Sequence, residues 1–146
     1  MVRSLEMEWP ELGLAVRANA LDYNKEYFNY FLDNCPLNGV QSHAVVSGKL
    51  MYIMNLKLQR FPKERYMDLR KEDLAEMAVG RVGIFVTFGR VGSVMVKYNE
   101  ITEPMSYPTI AQVRDQDLGT LAKAGAAVWD AMYRTKQIIN VVYRAV

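Results

Sequence analysis

The chain has one cysteine, Cys35, and one histidine, His43. A lone cysteine excludes an internal disulfide and fits a reducing compartment. One His with one Cys cannot assemble the usual zinc or iron ligand sets, so no such metal centre is expected. No apolar run reaches the roughly 18 residues of a membrane span. Met1 to Pro10 carries Glu6 and Glu8 and lacks a signal-peptide core, so the expected location is cytoplasmic. Gly89 to Gly92 is too short for a P-loop and is not followed by Lys-Ser/Thr. Eighteen basic residues against sixteen acidic ones leave a formal charge of +2. That field is too weak to predict nucleic acid or an anionic membrane as a partner. The densest basic stretch, Arg60 to Lys71, is interleaved with Glu64 and Asp68 and reads as a solvated segment.

What is present is apolar. Hydrophobic residues make up 51% of the 146 and charged residues 23%, which argues against disorder. A chain of this length suits one domain spanning 1–146, burying roughly 70% of its unfolded surface. The apolar content and nine methionines predict an adaptable core or a self-association face, and hence a homodimer.

Leu12, Leu14, Val16 and Ala18 alternate with Glu11, Gly13, Arg17 and Asn19, the period of a half-buried strand. Leu5, Met7 and Trp9 repeat that pattern. Asp22 or Asn24 can cap a helix carrying Tyr27, Phe28, Phe31 and Leu32, which Pro36 ends before an Asn38-Gly39 turn. Strands are predicted at Val40 to Ser47 and Lys49 to Met54. Asn55 to Val79 reads as a long connection with a helical turn near Glu72 to Met77. Gly80 to Phe88 and Gly92 to Glu100 read as a hairpin. Ile101 to Pro108 is turn-rich, and Thr109 to Arg114 is a short strand. Asp115 or Asp117 caps a second helix with Leu118, Leu121, Gly125, Val128, Trp129 and Met132 on one face. Gln137 to Val146 is apolar on both faces and reads as a central strand. The fold class is mainly β with two helices, a barrel or rolled sheet with a helix at each open end.

Three stretches carry a resemblance. They are Gln41-Ser42-His43-Ala44-Val45-Val46-Ser47-Gly48, then Tyr98-Asn99-Glu100-Ile101-Thr102-Glu103-Pro104, and Val113-Arg114-Asp115-Gln116-Asp117-Leu118 with Gly125-Ala126-Ala127-Val128-Trp129 after it. From about Leu21 onward the chain resembles the small bacterial cyclophilin-like-fold proteins related to cucumopine and mikimopine synthases. The resemblance implies an eight-stranded cyclophilin-like closed barrel capped by helices, with an active pocket. The arginine and aromatic groove of prolyl-isomerase cyclophilins is not found here.

Against that background His43 is a candidate for proton transfer, since a neutral imidazole both accepts and donates near pH 7. The alternative is a ring whose nitrogens bond neighbouring backbone. Glu103, leaving a strand at a barrel rim, can act as general base if partly desolvated; otherwise it is an exposed turn residue. Tyr98 shares a strand face with Val94 and Val96 and points inward, where its phenol can stabilise a developing anion or simply pack. Lys97 faces the other way and reads as surface. Ser42, Ser47 and Arg114 are candidates for orienting substrate. Arg114 can grip a carboxylate bidentately or pair with Asp115 or Asp117. Cys35 reads as a structural thiol, and Trp129 and Tyr133 as core packing.

These residues predict a cofactor-free enzyme for a small carboxylate-bearing metabolite. Chemistry that followed the resemblance would be a Pictet–Spengler condensation of an amino acid such as histidine with a 2-oxo acid. Two alternatives stay open: hydrolysis or isomerisation of a cyclic amide on the same scaffold, and a non-catalytic small-molecule-binding module.

Overall fold

A computed structural model describes residues 2–58, 63–87 and 91–146. The predicted alternation produces β1 (Ser4–Trp9) and β2 (Leu14–Ala20), which bury Leu5, Met7, Trp9, Val16 and Ala18 on one face. Helix α1 (Lys25–Asp33) buries Tyr27, Phe28, Phe31 and Leu32, the expected stripe. Asn24 stands at its cap position, but its amide instead donates to the carbonyls of Arg70 and Thr109.

After Pro36 the chain forms β3 (Leu37–Val40), which takes in the expected Asn38-Gly39 turn, then β4 (Ser42–His43) and β5 (Gly48–Lys57). The stretch read as irregular holds a 3-10 turn at Lys63–Asp68 and a short strand, β6 (Lys71–Asp73). β6 pairs with β9, and the turn expected near Glu72 to Met77 follows it directly, with the Met77 amide donating to the Asp73 carbonyl at 2.8 Å. β7 (Arg81–Thr87) and β8 (Val91–Ile101) pair as the predicted hairpin arms; residues 88–90 of its loop lie outside the described residues. β9 (Ser106–Val113) begins earlier than expected and runs through Pro108, beside a register shift against β7 between Val82 and Gly83. α2 (Leu118–Asp130) continues as a π-helical turn, Ala131–Thr135. Asp117 occupies its cap position, yet its carboxylate accepts from the Arg17 amide and the Arg114 guanidinium. β10 (Asn140–Ala145) lies between β3 and β1, an interior place that matches its apolar character.

The sheet runs β3-β10-β1-β2-β9-β7-β8-β5-β4, with β6 attached to β9. Every pairing is antiparallel. The two ends of this path, β3 and β4, are consecutive in sequence and separated only by Gln41. Counted as one stave broken at Gln41, they make an eight-staved barrel of the nine strands on the path. Gln41 bridges the seam. Its backbone amide donates to the Ile139 carbonyl, its side-chain amide donates to the Tyr52 carbonyl, and its Oε1 accepts from Nε1 of Trp9 at 2.8 Å.

The main core fills the barrel with inward residues such as Met51, Ile53, Val82, Val94 and Val96, and both helices lay their apolar faces on it. A smaller cluster of Ala44, Leu50, Leu74, Met77, Met95 and Ile101 sits apart from it. Leu50 and Met95 alternate with core residues along β5 and β8, so this cluster lies on the outer face of the barrel. Among the described residues no helix is long and apolar enough to cross a membrane.

Candidate functional site

A cavity opens on that outer face. It has a volume of about 510 Å³, within the range of small-molecule sites. β5 supplies Leu50 and Tyr52, β7 supplies Phe85, and β8 supplies Ser93 and Met95. Leu74 and Tyr107 close one side, and the loop from Ala44 to Ser47 closes the other. Phe85 and Tyr107 meet edge to face, with ring centroids 5.5 Å apart.

Into this apolar and aromatic hollow projects one charged side chain among the described lining residues, Glu103. Its carboxylate accepts a hydrogen bond from the Ser47 hydroxyl. Burial and then the Glu103 charge raise the pKa of the Tyr107 phenol, so both groups belong to the polar end of the cavity. The connection between the two loops is built into the backbone. The Thr102 amide donates to the Ser47 carbonyl at 3.0 Å. Gly48 then turns at φ +119°, and a Cβ there would lie 2.7 Å from the Glu100 carbonyl oxygen. Only glycine lets the two chains run so close.

His43 and Tyr98 form a second, separate pair. His43 lies opposite the fully buried Met51 on β5 and faces inward; it is 1% exposed. Its Nδ1 is 2.8 Å from the Ala44 carbonyl oxygen, and its Nε2 is 2.6 Å from Oη of Tyr98. A carbonyl only accepts, so Nδ1 carries the hydrogen and Nε2 accepts from the phenol. Burial pulls the His43 pKa down, opposed by the Ala44 bond and aided by the Lys49 charge; burial also raises the Tyr98 pKa. The His43 amide donates to Sδ of Met132 in the π-helical turn. Trp129 covers the imidazole edge-on at 4.8 Å.

The six sequence candidates thus divide. Ser47 and Glu103 meet at the cavity. His43 and Tyr98 meet beneath α2, and only the neighbouring Ala44 reaches the cavity. The hollow expected at the barrel rim lies instead on the outer face, because α2 covers the inner side of β4 and the Ala44–Ser47 loop folds outward. Ser42 lines a different, smaller cavity of about 220 Å³ with Gln41 and Met132. Arg114 pairs with Asp117 at 2.9 Å, away from both cavities.

Two further readings are corrected. Lys97 is buried, 4% exposed, because the segment after β6 folds over its strand face. Trp129 is 36% exposed rather than fully buried, although its ring packs on the imidazole of His43 and on Tyr133. The aromatic wall was missed, although β7 and β8 are apolar on both faces, a signal that the outer face is covered too. Among the described residues no group of three or more His, Cys, Asp or Glu side chains could hold a metal ion.

No model of a known protein family matches the chain. No curated protein matches it. Among solved structures it is similar to one described as McbB in complex with tryptophan, with a TM-score of 0.77 and 29% identity. The match covers 96% of this chain and 44% of the McbB chain, so this chain spans less than half the length of that protein. The match supports a related fold.

Proposed function

We propose that the outer-face cavity is the active site of a condensing enzyme of the Pictet–Spengler type. It joins an amino acid bearing a nucleophilic ring to a carbonyl compound such as a 2-oxo acid. The observation that carries this reading is Glu103, a single carboxylate with a hydroxyl partner in an otherwise apolar and aromatic hollow. Similarity to a protein solved with tryptophan supports the same reading. The lining favours an indole over an imidazole, because burying a large apolar ring against Leu50, Tyr52 and Met95 is favourable and burying a polar one is not.

The chemistry follows in three steps. The amine attacks the carbonyl carbon and water leaves, giving an iminium. A ring carbon then attacks the iminium carbon, forming the new C–C bond. Glu103 takes the proton from that ring carbon, and the C–H electron pair restores aromaticity. A base held in place contributes about a hundred- to ten-thousandfold to such a step. Holding both reactants in one hollow contributes a further large share. His43 and Tyr98 act here as positioning residues: they fix the Ala44 carbonyl, and with it the loop that brings Ser47 to Glu103.

The test is incubation with tryptophan or histidine and a panel of 2-oxo acids and aldehydes, followed by mass spectrometry. A product of the summed masses less one water is expected, and Glu103→Gln should suppress it while tryptophan binding persists. Binding without any product would favour the small-molecule-binding module instead. Full activity in Glu103→Gln would reject the assignment of the base.

A further inference from the structure

We propose that Lys97 is a positioning residue for this cavity: its ammonium, seated among the carbonyl oxygens of Leu74, Ala75 and Met77, fixes the turn that supplies the Leu74 wall. Lys97 stands on the same strand face as Ser93 and Met95, both of which line the cavity. Its Nζ lies 2.8 Å from the Leu74 oxygen, 3.2 Å from Ala75 and 2.8 Å from Met77. An ammonium has three hydrogens, and all three are used.

A methionine would fill the same space without desolvating a charge, so stability alone does not favour lysine here. What the ammonium adds is geometry, because only one arrangement of the turn brings three carbonyls to one point. The turn passes that order on. The Leu74 amide donates to the Met105 carbonyl at 2.7 Å, and the Met105 amide donates to the Glu103 carbonyl at 3.0 Å. Lys97 thus orders both the apolar wall and the segment that carries the acid. At the other side of its strand, its own carbonyl accepts from the Gly80 amide, where the turn rejoins the sheet.

Amide hydrogen exchange on the intact chain tests this, with Lys97→Met as the variant. Exchange at the Leu74, Met77 and Gly80 amides should speed up by about tenfold or more, as expected for a released local unit, while Val96 and Val141 stay protected. Unchanged exchange at those three amides, or uniform acceleration across the barrel, would overturn the proposal. Should Lys97→Met fail to fold, Lys97→Gln, which retains a donor, takes its place with the same outcomes. The ligand arm rests on the reading of the cavity as a tryptophan site. There, Lys97→Met should weaken tryptophan binding by about tenfold, a loss ordinary for displaced binding groups. If the wild-type chain binds no tryptophan, the functional reading fails, and the exchange arm still decides the role of Lys97.

Discussion

Tyr98 donates its hydroxyl hydrogen to Nε2 of His43 across 2.6 Å, while Nδ1 of the same ring donates to the Ala44 carbonyl at 2.8 Å. Both ring nitrogens are thereby satisfied in a buried setting, and the neutral tautomer is locked. Tyr98→Phe leaves Nε2 as a buried acceptor without its donor. Such a loss costs about 1–3 kcal/mol, read as a lower urea midpoint. If the pair positions the loop, substrate KM should rise more than kcat falls. A selective collapse of kcat with unchanged KM would instead mark His43 as a proton-transfer group.

The same pair predicts a pH dependence. Burial lowers the folded-state pKa of His43 below its ordinary value of 6.5. Between the two pKa values the unfolded chain binds more protons than the folded one, so stability rises with pH in that window. Stability should therefore fall as pH drops below about 6.5, and the loss should level off once the folded state is also protonated. Glu11 and Glu72 have lowered pKa values relative to 4.5, so their losses come at more acid pH. Urea titrations at several pH values should show the decline near pH 6 in wild type and its absence in His43→Gln. An equal slope in both would remove His43 as the cause.

Gly125 lets the helix approach the Tyr98 ring. A Cβ there would lie 2.4–2.5 Å from three ring carbons. Gly125→Ala should therefore cost about 1–3 kcal/mol as overpacking. Shortening the ring should relieve it, so Gly125→Ala in a Tyr98→Leu background should cost far less than in wild type. That coupling is measurable by a double-mutant cycle, and simple additivity would show that the clash is relieved some other way.

Much of the architecture was legible because inward faces write themselves into period-two patterns. Leu5, Met7 and Trp9 are core residues, as their alternation requires, and Tyr27 to Leu32 bury the predicted stripe. What covers the outer face was not legible. Lys97 is buried only because a turn some twenty residues earlier in the chain lays three carbonyls over it, and nothing within β8 announces that turn. Ser47 and Glu103 lie 56 residues apart in sequence and converge through the Gly48 turn. The closed seam likewise depends on which strands flank Gln41, a long-range fact that its local polar character does not carry.

Gln41 offers a direct test of closure. Its side chain accepts from Trp9 and donates to Tyr52, so Gln41→Leu strands one buried donor and one buried acceptor. Each unsatisfied group costs about 1–3 kcal/mol. The expected result is a large fall in the urea midpoint, together with faster amide exchange in residues 37–43, where the two ends of the sheet meet. A stable variant with unchanged exchange there would mean that the backbone bond from the Gln41 amide to Ile139 holds the seam alone.

Cys35 gives the last prediction. Burial pushes its thiol pKa up to about 11, with Arg3 acting weakly in the opposite sense, and its Sγ points to the Phe31 carbonyl at 3.6 Å. The thiolate is the reactive form, so at pH 8 the folded chain should present almost none of it. Alkylation by iodoacetamide should then be slow in the native protein and should accelerate strongly in denaturant, where the thiol returns to its ordinary range. Rapid native labelling would show that Cys35 is activated by its surroundings, and a nucleophilic role for it would return to consideration.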